Sequence, residues 1–303
     1  MRIKTYPVKP KPVIDSQLSA VHPPARAGGR RRVGRLLAVL LVLAVGGAAY
    51  YGARWPLRLN SNWEITQTIS LTRPDSLSLG ADGELQYVTL ETVPGLLVEL
   101  TPDGPKTVFG DFLKPDSLLV LPDTIIVTEE DVDGRVMAFN RSTAKLRVLA
   151  RLDNPEGILL RADGSLVVAL DTPAGRLMIL RNDAEPELLV EGLNQPEGLC
   201  NLPDGRIGIA ESGTGRILAH GPKGLEVLAD DLDGIDQLAC GADGSLWAVL
   251  SQVRSGELIR IQDGRRRTIA RHLRQPQGIA LAPDGSVYIA ETRANRVLRL
   301  QAR

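Results

Sequence analysis

The chain has 303 residues, enough for one large domain and a smaller appendage. Its 36 basic and 36 acidic residues give a formal net charge of zero, which excludes the global basic field typical of nucleic-acid-binding proteins. With 30 glycines, 20 prolines and only 4% aromatic residues, the composition favours many short strands joined by turns over a helical bundle. We therefore expect a β-rich protein without a nucleic-acid partner.

The N-terminal segment has the pattern of a membrane anchor. Residues 1–35 are polar and proline-rich without periodicity, which predicts a disordered cytoplasmic tail, and arginines cluster at its end. The 18 residues of 36–53 carry no charge and as a helix would span about 27 Å, close to the roughly 30 Å of a bilayer core. Basic residues before the span and few after it predict that the rest of the chain is periplasmic or extracellular. A cleaved signal peptide is the alternative, and it delivers the chain to the same side.

The remainder of the chain is repetitive. Each copy has an anchor residue, an acidic or amide residue, usually a small residue, an apolar run, a turn that is mostly Asp-Gly, and a second apolar run. The copies begin at Pro74, Pro115, Pro155, Pro196, Ile235 and Pro276. The spacing is 39 to 41 residues, and each copy holds four short apolar segments separated by turn residues. Four antiparallel strands in about 40 residues describe one blade of a β-propeller.

The two ends of the repeat region complement each other. The last copy stops at Arg303 after its third strand, whereas a strand-like segment over 63–70 precedes the first copy without a blade of its own. Pairing the two would complete the last blade and remove two exposed sheet edges. The sequence therefore predicts an all-β, six-bladed propeller over 63–303, closed by this strand and joined by a linker over 54–62 to the transmembrane helix.

The last copy, Pro276 to Glu291 followed by Asn295-Arg296-Val297, resembles an NHL repeat. The same stretch is similar to the SMP-30/gluconolactonase and strictosidine-synthase-like propellers, and the resemblance covers about residues 63–303. It implies the propeller architecture more specifically than any activity, because this fold serves enzymes and binding modules alike.

The residue after each anchor is a carboxylic acid or an amide. These residues are Asp75, Asp116, Glu156, Glu197, Asp236 and Gln277. The innermost strands of a propeller run in the same direction along the channel, so we expect the six side chains to gather at one opening. Two carboxylates about 8 Å apart repel by about 2 kcal/mol at an effective dielectric near 20, so the ring should bind a cation, retain protons or turn towards water. Ca²⁺ suits such oxygen ligands best, and we assign the five acids as metal ligands and Gln277 as substrate-binding.

The resemblance implies a more specific site. In SMP-30-like enzymes a divalent metal at this opening is typically held by Glu in the first blade, Asn in the third and fourth, and Asp in the fifth. Asp236 matches the fifth-blade ligand, and Asp75 is a shortened first-blade equivalent. Glu156 and Glu197 stand where asparagine is expected, so the family's substrate geometry does not carry over directly.

A second recurring set stands at the end of the second strand of each copy. It comprises Glu91, Glu130, Asp171, Glu211, Ser251 and Glu291. Arginines follow at Arg135, Arg176, Arg216 and Arg296. We interpret these acids and arginines as repeated structural ion pairs, with ligand binding as the alternative.

The two cysteines, Cys200 and Cys240, lie about one repeat apart. Two buried free thiols are the simpler interpretation of such a pair. A bridge between neighbouring blades is the alternative.

Two functions are compatible with these features. One is a binding module that presents an acidic, cation-loaded opening to a small molecule or protein partner outside the cell. The other is a divalent-metal-dependent hydrolase of a lactone or ester, with Asp236 as ligand or catalytic base. The histidines His22, His220 and His272 do not align with the opening, which favours the binding module.

The predicted topology can be tested with reporter fusions. Alkaline phosphatase fused after Arg303 should be active, and green fluorescent protein at the same position should be dark when exported unfolded. The reverse pattern would contradict the placement of the C-terminal domain outside the cytoplasm.

Overall fold

The computed structural model describes residues 56–303 except 183 and 253–254. In this part of the chain six antiparallel sheets form the blades of a propeller, which confirms the predicted fold and blade number. The predicted tail and membrane span, 1–35 and 36–53, lie outside the described residues. None of the helical residues that the structure describes forms a helix long and apolar enough to cross a membrane.

Each blade starts at its innermost strand and proceeds outwards through hairpins. The chain enters through β1 (Arg58–Leu59) and β2 (Trp63–Ser70). Blade 1 consists of β3 (Pro74–Leu79), β4 (Leu85–Leu90), β5 (Gly95–Thr101) and β6 (Gly104–Phe112). Blade 2 consists of β7 (Pro115–Val120), β8 (Thr124–Glu129), β9 (Gly134–Asn140) and β10 (Lys145–Leu152). Blade 3 consists of β11 (Pro155–Leu160), β12 (Leu166–Leu170), β13 (Gly175–Leu180) and β14 (Glu187–Leu193).

The second half of the propeller repeats this plan. Blade 4 consists of β15 (Pro196–Asn201), β16 (Ile207–Glu211), β17 (Arg216–Gly221) and β18 (Gly224–Ala229). Blade 5 consists of β19 (Ile235–Cys240), β20 (Leu246–Leu250), β21 (Gly256–Gln262) and β22 (Arg265–Leu273). Blade 6 consists of β23 (Pro276–Leu281), β24 (Val287–Glu291), a 3₁₀ turn (Thr292–Ala294) and β25 (Arg296–Ala302).

Blade 6 is completed by the start of the chain, as the sequence predicts. Strand β2 pairs antiparallel with β25, with Trp63 opposite Ala302 and Ser70 opposite Arg296. This pairing joins the two ends of the propeller in one sheet, so that β25 is paired along both edges and β2 along one.

The predicted linker contains an additional strand. Strand β1 pairs with β22, the outer strand of blade 5, with Arg58 opposite Arg271 and Leu59 opposite Ala270. The backbone N–H of Asn60 continues the pairing by donating to the carbonyl of Ile269 at 2.8 Å. Blade 5 is therefore a five-stranded sheet, and the chain is held to its outer edge before it enters blade 6.

The second strand of each blade is apolar because both of its faces are buried. Strands β12, β16, β20 and β24 are buried along their whole length. Each lies inside a blade that packs against a neighbour on both faces, so its side chains meet apolar partners on both sides. The hydrophobic core is accordingly divided into clusters between blades rather than concentrated in one centre.

Ion pairs between a glutamate of the second strand and an arginine of the third strand form in blades 2, 4 and 6. The last residue of the second strand is a fully buried glutamate in blades 2, 4 and 6, namely Glu129, Glu211 and Glu291. These pair with Arg135, Arg216 and Arg296 respectively. Their other carboxylate oxygens accept backbone N–H groups from Leu113, Asn194 and Arg274. Each pair therefore fastens the segment that leads into its own blade.

The assignment of Glu91, Glu130, Asp171 and Ser251 to the end of the second strand is wrong by one residue. Leucine occupies the last position of the second strand in blades 1, 3 and 5, and Glu130 follows Glu129, the last residue of β8. These four residues stand one position later, beyond the strand end, where Glu91 and Glu130 pair with Arg73 and Lys114 rather than with an arginine of the third strand. A one-residue shift along a strand reverses the direction of the side chain, which a count of repeat spacing does not resolve.

The two cysteines form a disulfide, contrary to the interpretation as free thiols. Cys200 on β15 bonds to Cys240 on β19, the innermost strand of the next blade, with a Cα–Cα distance of 5.7 Å. The glycine at 208 lies beside the bridge, and a Cβ there would approach the sulfur of Cys200 to 2.8 Å. The bridge thus links blades 4 and 5 where one of them has no side chain to fill the interface.

Candidate functional site: an acidic channel mouth

The innermost strands approach each other closely around the channel. A Cβ on Gly157 would lie 2.0 Å from the carbonyl oxygen of Glu197, and one on Gly278 would lie 2.1 Å from that of Asp75. Only glycine leaves room for this contact, which explains the small residue in the repeat. The second of these contacts joins the last blade to the first, so the ring of innermost strands is closed.

This closure brings the predicted residues together at one end of the channel. Asp75, Asp116 and Glu156 are buried, with 2%, 5% and 5% of their surface exposed. Glu197, Asp236 and Gln277 are partly buried. We call this group, together with the acids described next, the acidic mouth.

Each second strand adds one further residue to the mouth. The residues directly after the second strands are Glu91, Glu130, Asp171, Ser212, Ser251 and Thr292. Two groups of acids place carboxylate oxygens within 4.8 Å of one another: Asp116, Glu130 and Glu156 form one, and Glu156, Asp171 and Glu197 form the other. Glu156 belongs to both groups, whereas Asp75 and Asp236 belong to neither.

Glu130 and Asp171 are therefore the site residues that sequence reasoning assigned to a different role. The signal that could have identified them is their position one residue beyond the second strand. That position brings them to the end of the channel at which the first strands begin.

Cationic side chains neutralise only part of the negative charge of the acidic mouth. Among the described residues the mouth contains eight carboxylates, and Arg73 pairs with Glu91 while Lys114 pairs with Glu130. Asp171 accepts a hydrogen bond from the amide of Asn154 at 3.2 Å. The remaining acids face one another without a cationic side chain between them.

Burial and crowding favour the protonated form of the acids in the mouth. Burial, followed by repulsion from Glu130, raises the pKa of Asp116 to about 7. Burial, followed by repulsion from Asp236, raises the pKa of Glu197 to about 10. Burial and then the charge of Asp116 also raise the pKa values of Asp75, Glu156 and Asp236 well above their ordinary range. The mouth therefore retains protons near neutral pH.

Hydroxyl and amide groups weaken the repulsion between acids on one side of the ring. Hydrogen bonds from Ser212 and Ser251 act against the rise in the pKa values of Glu197 and Asp236 respectively. The hydroxyl of Thr292 lies 2.8 Å from the amide oxygen of Gln277 and 2.7 Å from the carbonyl oxygen of Pro74. Blade 6 thus contributes neutral polar groups where the other five blades contribute acids.

Two buried oxygens of the mouth have no hydrogen-bond partner in the described part of the chain. They are Oδ2 of Asp75 and Oδ1 of Asp171. Unpartnered buried oxygens are costly, so they point to a ligand or ion that would satisfy them. The donors are all oxygens and mostly carboxylates, which fits a hard divalent cation such as Ca²⁺ and not a metal that prefers nitrogen or sulfur.

The histidines lie elsewhere, as the repeat alignment predicts. His220 is on the third strand of blade 4, opposite Leu225 of the outer strand. His272 is on the outer strand of blade 5, and its Nδ1 lies 2.9 Å from the carbonyl oxygen of Pro56. His22 lies outside the described residues.

Comparisons with known proteins agree with the architecture. A family model described as NHL repeat matches residues 273–300. The fold is similar to a gluconolactonase from Xanthomonas campestris, with a TM-score of 0.64 and 12% identity over 82% of this chain and 98% of the other. A regucalcin from Agrobacterium tumefaciens, described as a calcium-binding protein, gives a TM-score of 0.61 and 15% identity over 77% of this chain and 91% of the other.

A third similar structure has a different activity. The virginiamycin B lyase from Staphylococcus aureus gives a TM-score of 0.58 and 13% identity over 80% of this chain and 100% of the other. No curated protein shows significant sequence similarity to the chain. These likenesses confirm the resemblance to NHL-repeat and SMP-30/gluconolactonase-like propellers, and at such low identity they establish the fold alone.

The raised pKa values predict how stability depends on pH. An acid whose pKa is higher in the folded than in the unfolded protein contributes its full stabilisation while it is protonated in both states. This contribution is lost as the pH rises from the unfolded towards the folded pKa, so stability should fall between about pH 5 and about pH 8.5. For the metal-free protein we expect the melting temperature to fall by roughly 5 °C across this range. Glu197→Gln should flatten the profile because one ionisation is removed. If the melting temperature of Glu197→Gln depends on pH in the same way as that of the unaltered protein, the raised pKa of Glu197 is contradicted.

Proposed function

We propose that the acidic mouth binds a divalent cation, with Ca²⁺ as the best fit. With the cation bound, this end of the propeller binds a small oxygen-bearing molecule or a protein partner. The observation that carries the proposal is that eight carboxylates share the mouth with only two cationic side chains that pair with them, Arg73 and Lys114, while buried oxygens of Asp75 and Asp171 have no hydrogen-bond partner among the described residues. A cation would satisfy these oxygens and remove the repulsion that otherwise holds protons in the ring.

Glu156 has the central place in this proposal. It is shared by both groups of converging carboxylates, so a cation held by Asp116 and Glu130, or by Asp171 and Glu197, would contact it in either case. Asp75 and Asp236 would complete the ring electrostatically or as further ligands. Gln277, whose amide oxygen lies next to Thr292, would contact the bound molecule instead.

The proposed location is the outer face of a membrane, with residues 36–53 as the anchor and the propeller in the periplasm or extracellular space. The disulfide between Cys200 and Cys240 supports this location, since such bonds persist mainly in oxidising compartments. The balanced net charge supports a function without nucleic acid.

Cation binding predicts a specific pattern of thermal stability. Ca²⁺ at about one hundred times its dissociation constant should stabilise the protein by about 2.7 kcal/mol, which raises the melting temperature by several degrees. Glu156→Gln should abolish most of this increase, yet should not lower the melting temperature of the metal-free protein, because it replaces a buried acid that is costly to ionise with a neutral amide. Asp236→Asn and Glu197→Gln should reduce the increase to a smaller extent.

Glu191→Gln is the matched control, since Glu191 is exposed on the outer strand of blade 3. It should leave the response to Ca²⁺ unchanged. An absence of any metal-dependent shift with Ca²⁺, Mg²⁺ or Mn²⁺, or an equal loss in the control, would contradict the cation site.

A second candidate function is a metal-dependent hydrolase of a lactone or ester. It is favoured by the similarity of the fold to a gluconolactonase, which spans 98% of that chain. A divalent cation bound in the mouth would polarise the substrate carbonyl. Asp236 is then the candidate ligand or base, and a hydrogen bond from Ser251 acts against the rise in its pKa that burial causes.

The hydrolase is tested with a panel of lactones and aryl esters, each assayed with Ca²⁺, Mg²⁺, Mn²⁺ and Zn²⁺. Turnover should be lost in Asp236→Asn while the melting temperature is retained, and Asp103→Asn on an exposed turn should behave as the unaltered protein. Absence of turnover across the panel, with a Ca²⁺-dependent melting shift still present, would reject the hydrolase and leave the binding module.

A further inference from the structure

A cavity at the other end of the propeller has no part in the proposed function. It has a volume of about 910 Å³ and lies between blades 2 and 3. Its wall includes Thr124 at the start of β8, Asn140 at the end of β9 and Gly164 in the turn that follows β11. These positions lie at the ends of the strands opposite to the acidic mouth, so the cavity and the mouth are separate.

The cavity borders two paired positions of blade 2 that carry aliphatic side chains. In blade 2 the second and third strands place Ile126 opposite Ala138, and both line the cavity. In three other blades the same row contains an aromatic residue with a charged partner, and these side chains fill the space towards the next blade. The pairs are Tyr87 with Glu99, Trp247 with Arg260, and Tyr288 with Arg299.

The wall and the rim of the cavity differ in chemistry. The wall combines aliphatic side chains, including Leu160, Leu166 and Leu180, with the polar side chains of Thr124 and Asn140, and no aromatic or acidic residue is among the described residues that line it. The rim carries Lys145, Arg147 and Arg181, of which Arg181 also pairs with Glu187 at 2.7 Å. The outer strand β10 exposes two further apolar side chains at the opening, Leu146 at 37% and Val148 at 42%.

We propose that this cavity binds a free long-chain carboxylate of the fatty-acid class. Its volume lies within the range of small-molecule sites, and its lining combines an aliphatic part with polar groups that could fix the orientation of a ligand. The aliphatic part of the wall suits a saturated chain, and the cationic rim suits a single carboxylate at the opening. Lys145 and Arg181 are the residues we expect to contact the carboxylate.

The test uses the full chain in nanodiscs of phosphatidylcholine and a photoactivatable palmitate with a diazirine in its chain. After irradiation, labelled peptides should come from β8 to β10 and from the β11–β12 hairpin. Ala138→Trp, which fills the cavity, should reduce labelling by about tenfold, and Lys145→Glu should reduce it by about fivefold. Lys106→Glu on the exposed outer strand of blade 1 should leave labelling unchanged.

The same experiment distinguishes other occupants. Labelling by the methyl ester of the probe that equals labelling by the acid would overturn the role of the cationic rim. Labelling spread evenly over the propeller, or unchanged in both Ala138→Trp and Lys145→Glu, would overturn the site. A leucine-rich acidic photo-peptide that labels these segments while the acid does not would replace the proposed ligand with a protein partner.

Thermal melting identifies a failure to fold in Ala138→Trp. In that case Lys145→Glu decides the outcome, because Lys145 is exposed and its substitution disturbs no packing. None of these variants touches the acidic mouth, so the Ca²⁺ response serves as an internal control of the fold.

Discussion

Six innermost strands converge around one axis, and their close contact determines what the rest of the molecule must accommodate. Glycine at the third position of the repeat lets the backbone of one strand lie against the carbonyl of the next, as at Gly157 and Gly278. The residue one position earlier then has no freedom to move away from its five equivalents. Once those residues are acids, the geometry that closes the ring also concentrates negative charge.

This concentration connects stability with function. A ring of neutral residues would close the propeller at lower electrostatic cost, and blade 6 shows such an arrangement with Gln277 and Thr292. The other blades place acids there, and burial then forces Asp116 and Glu197 to retain protons well above their ordinary pKa values. Strongly shifted acids that face one another in an opening are typical of sites that bind an ion or perform acid–base chemistry. The propeller has compensating interactions elsewhere, including the disulfide and the buried glutamate–arginine pairs.

Much of the fold could be predicted because the repeat is regular and long. The anchor residues give six blades, and the unpaired segment Trp63–Ser70 gives the closure of blade 6. The pairing of β1 with blade 5 could not be predicted, because Arg58 and Leu59 form too short a segment to show strand alternation. The disulfide could not be distinguished from free thiols, because spacing places Cys200 and Cys240 about one repeat apart but does not give the distance between blades.

The site was predictable only in part, for a related reason. Position in the repeat places Asp75, Asp116, Glu156, Glu197 and Asp236 at one opening. It does not show that Glu156 is the member that both carboxylate groups share. Nor does it separate Glu129, which pairs with Arg135 of the third strand, from Glu130, which faces the mouth, because the two differ by a single residue of strand register.

The central claim is that the acidic mouth holds a cation, and anomalous diffraction tests it most directly. Crystals grown near pH 7.5 with Mn²⁺ in place of Ca²⁺ should show one strong anomalous peak at the mouth, within about 2.6 Å of the Glu156 carboxylate and of at least two neighbouring acids. A peak only on the outer surface of the propeller, or none at metal concentrations that saturate known calcium sites, would contradict the account.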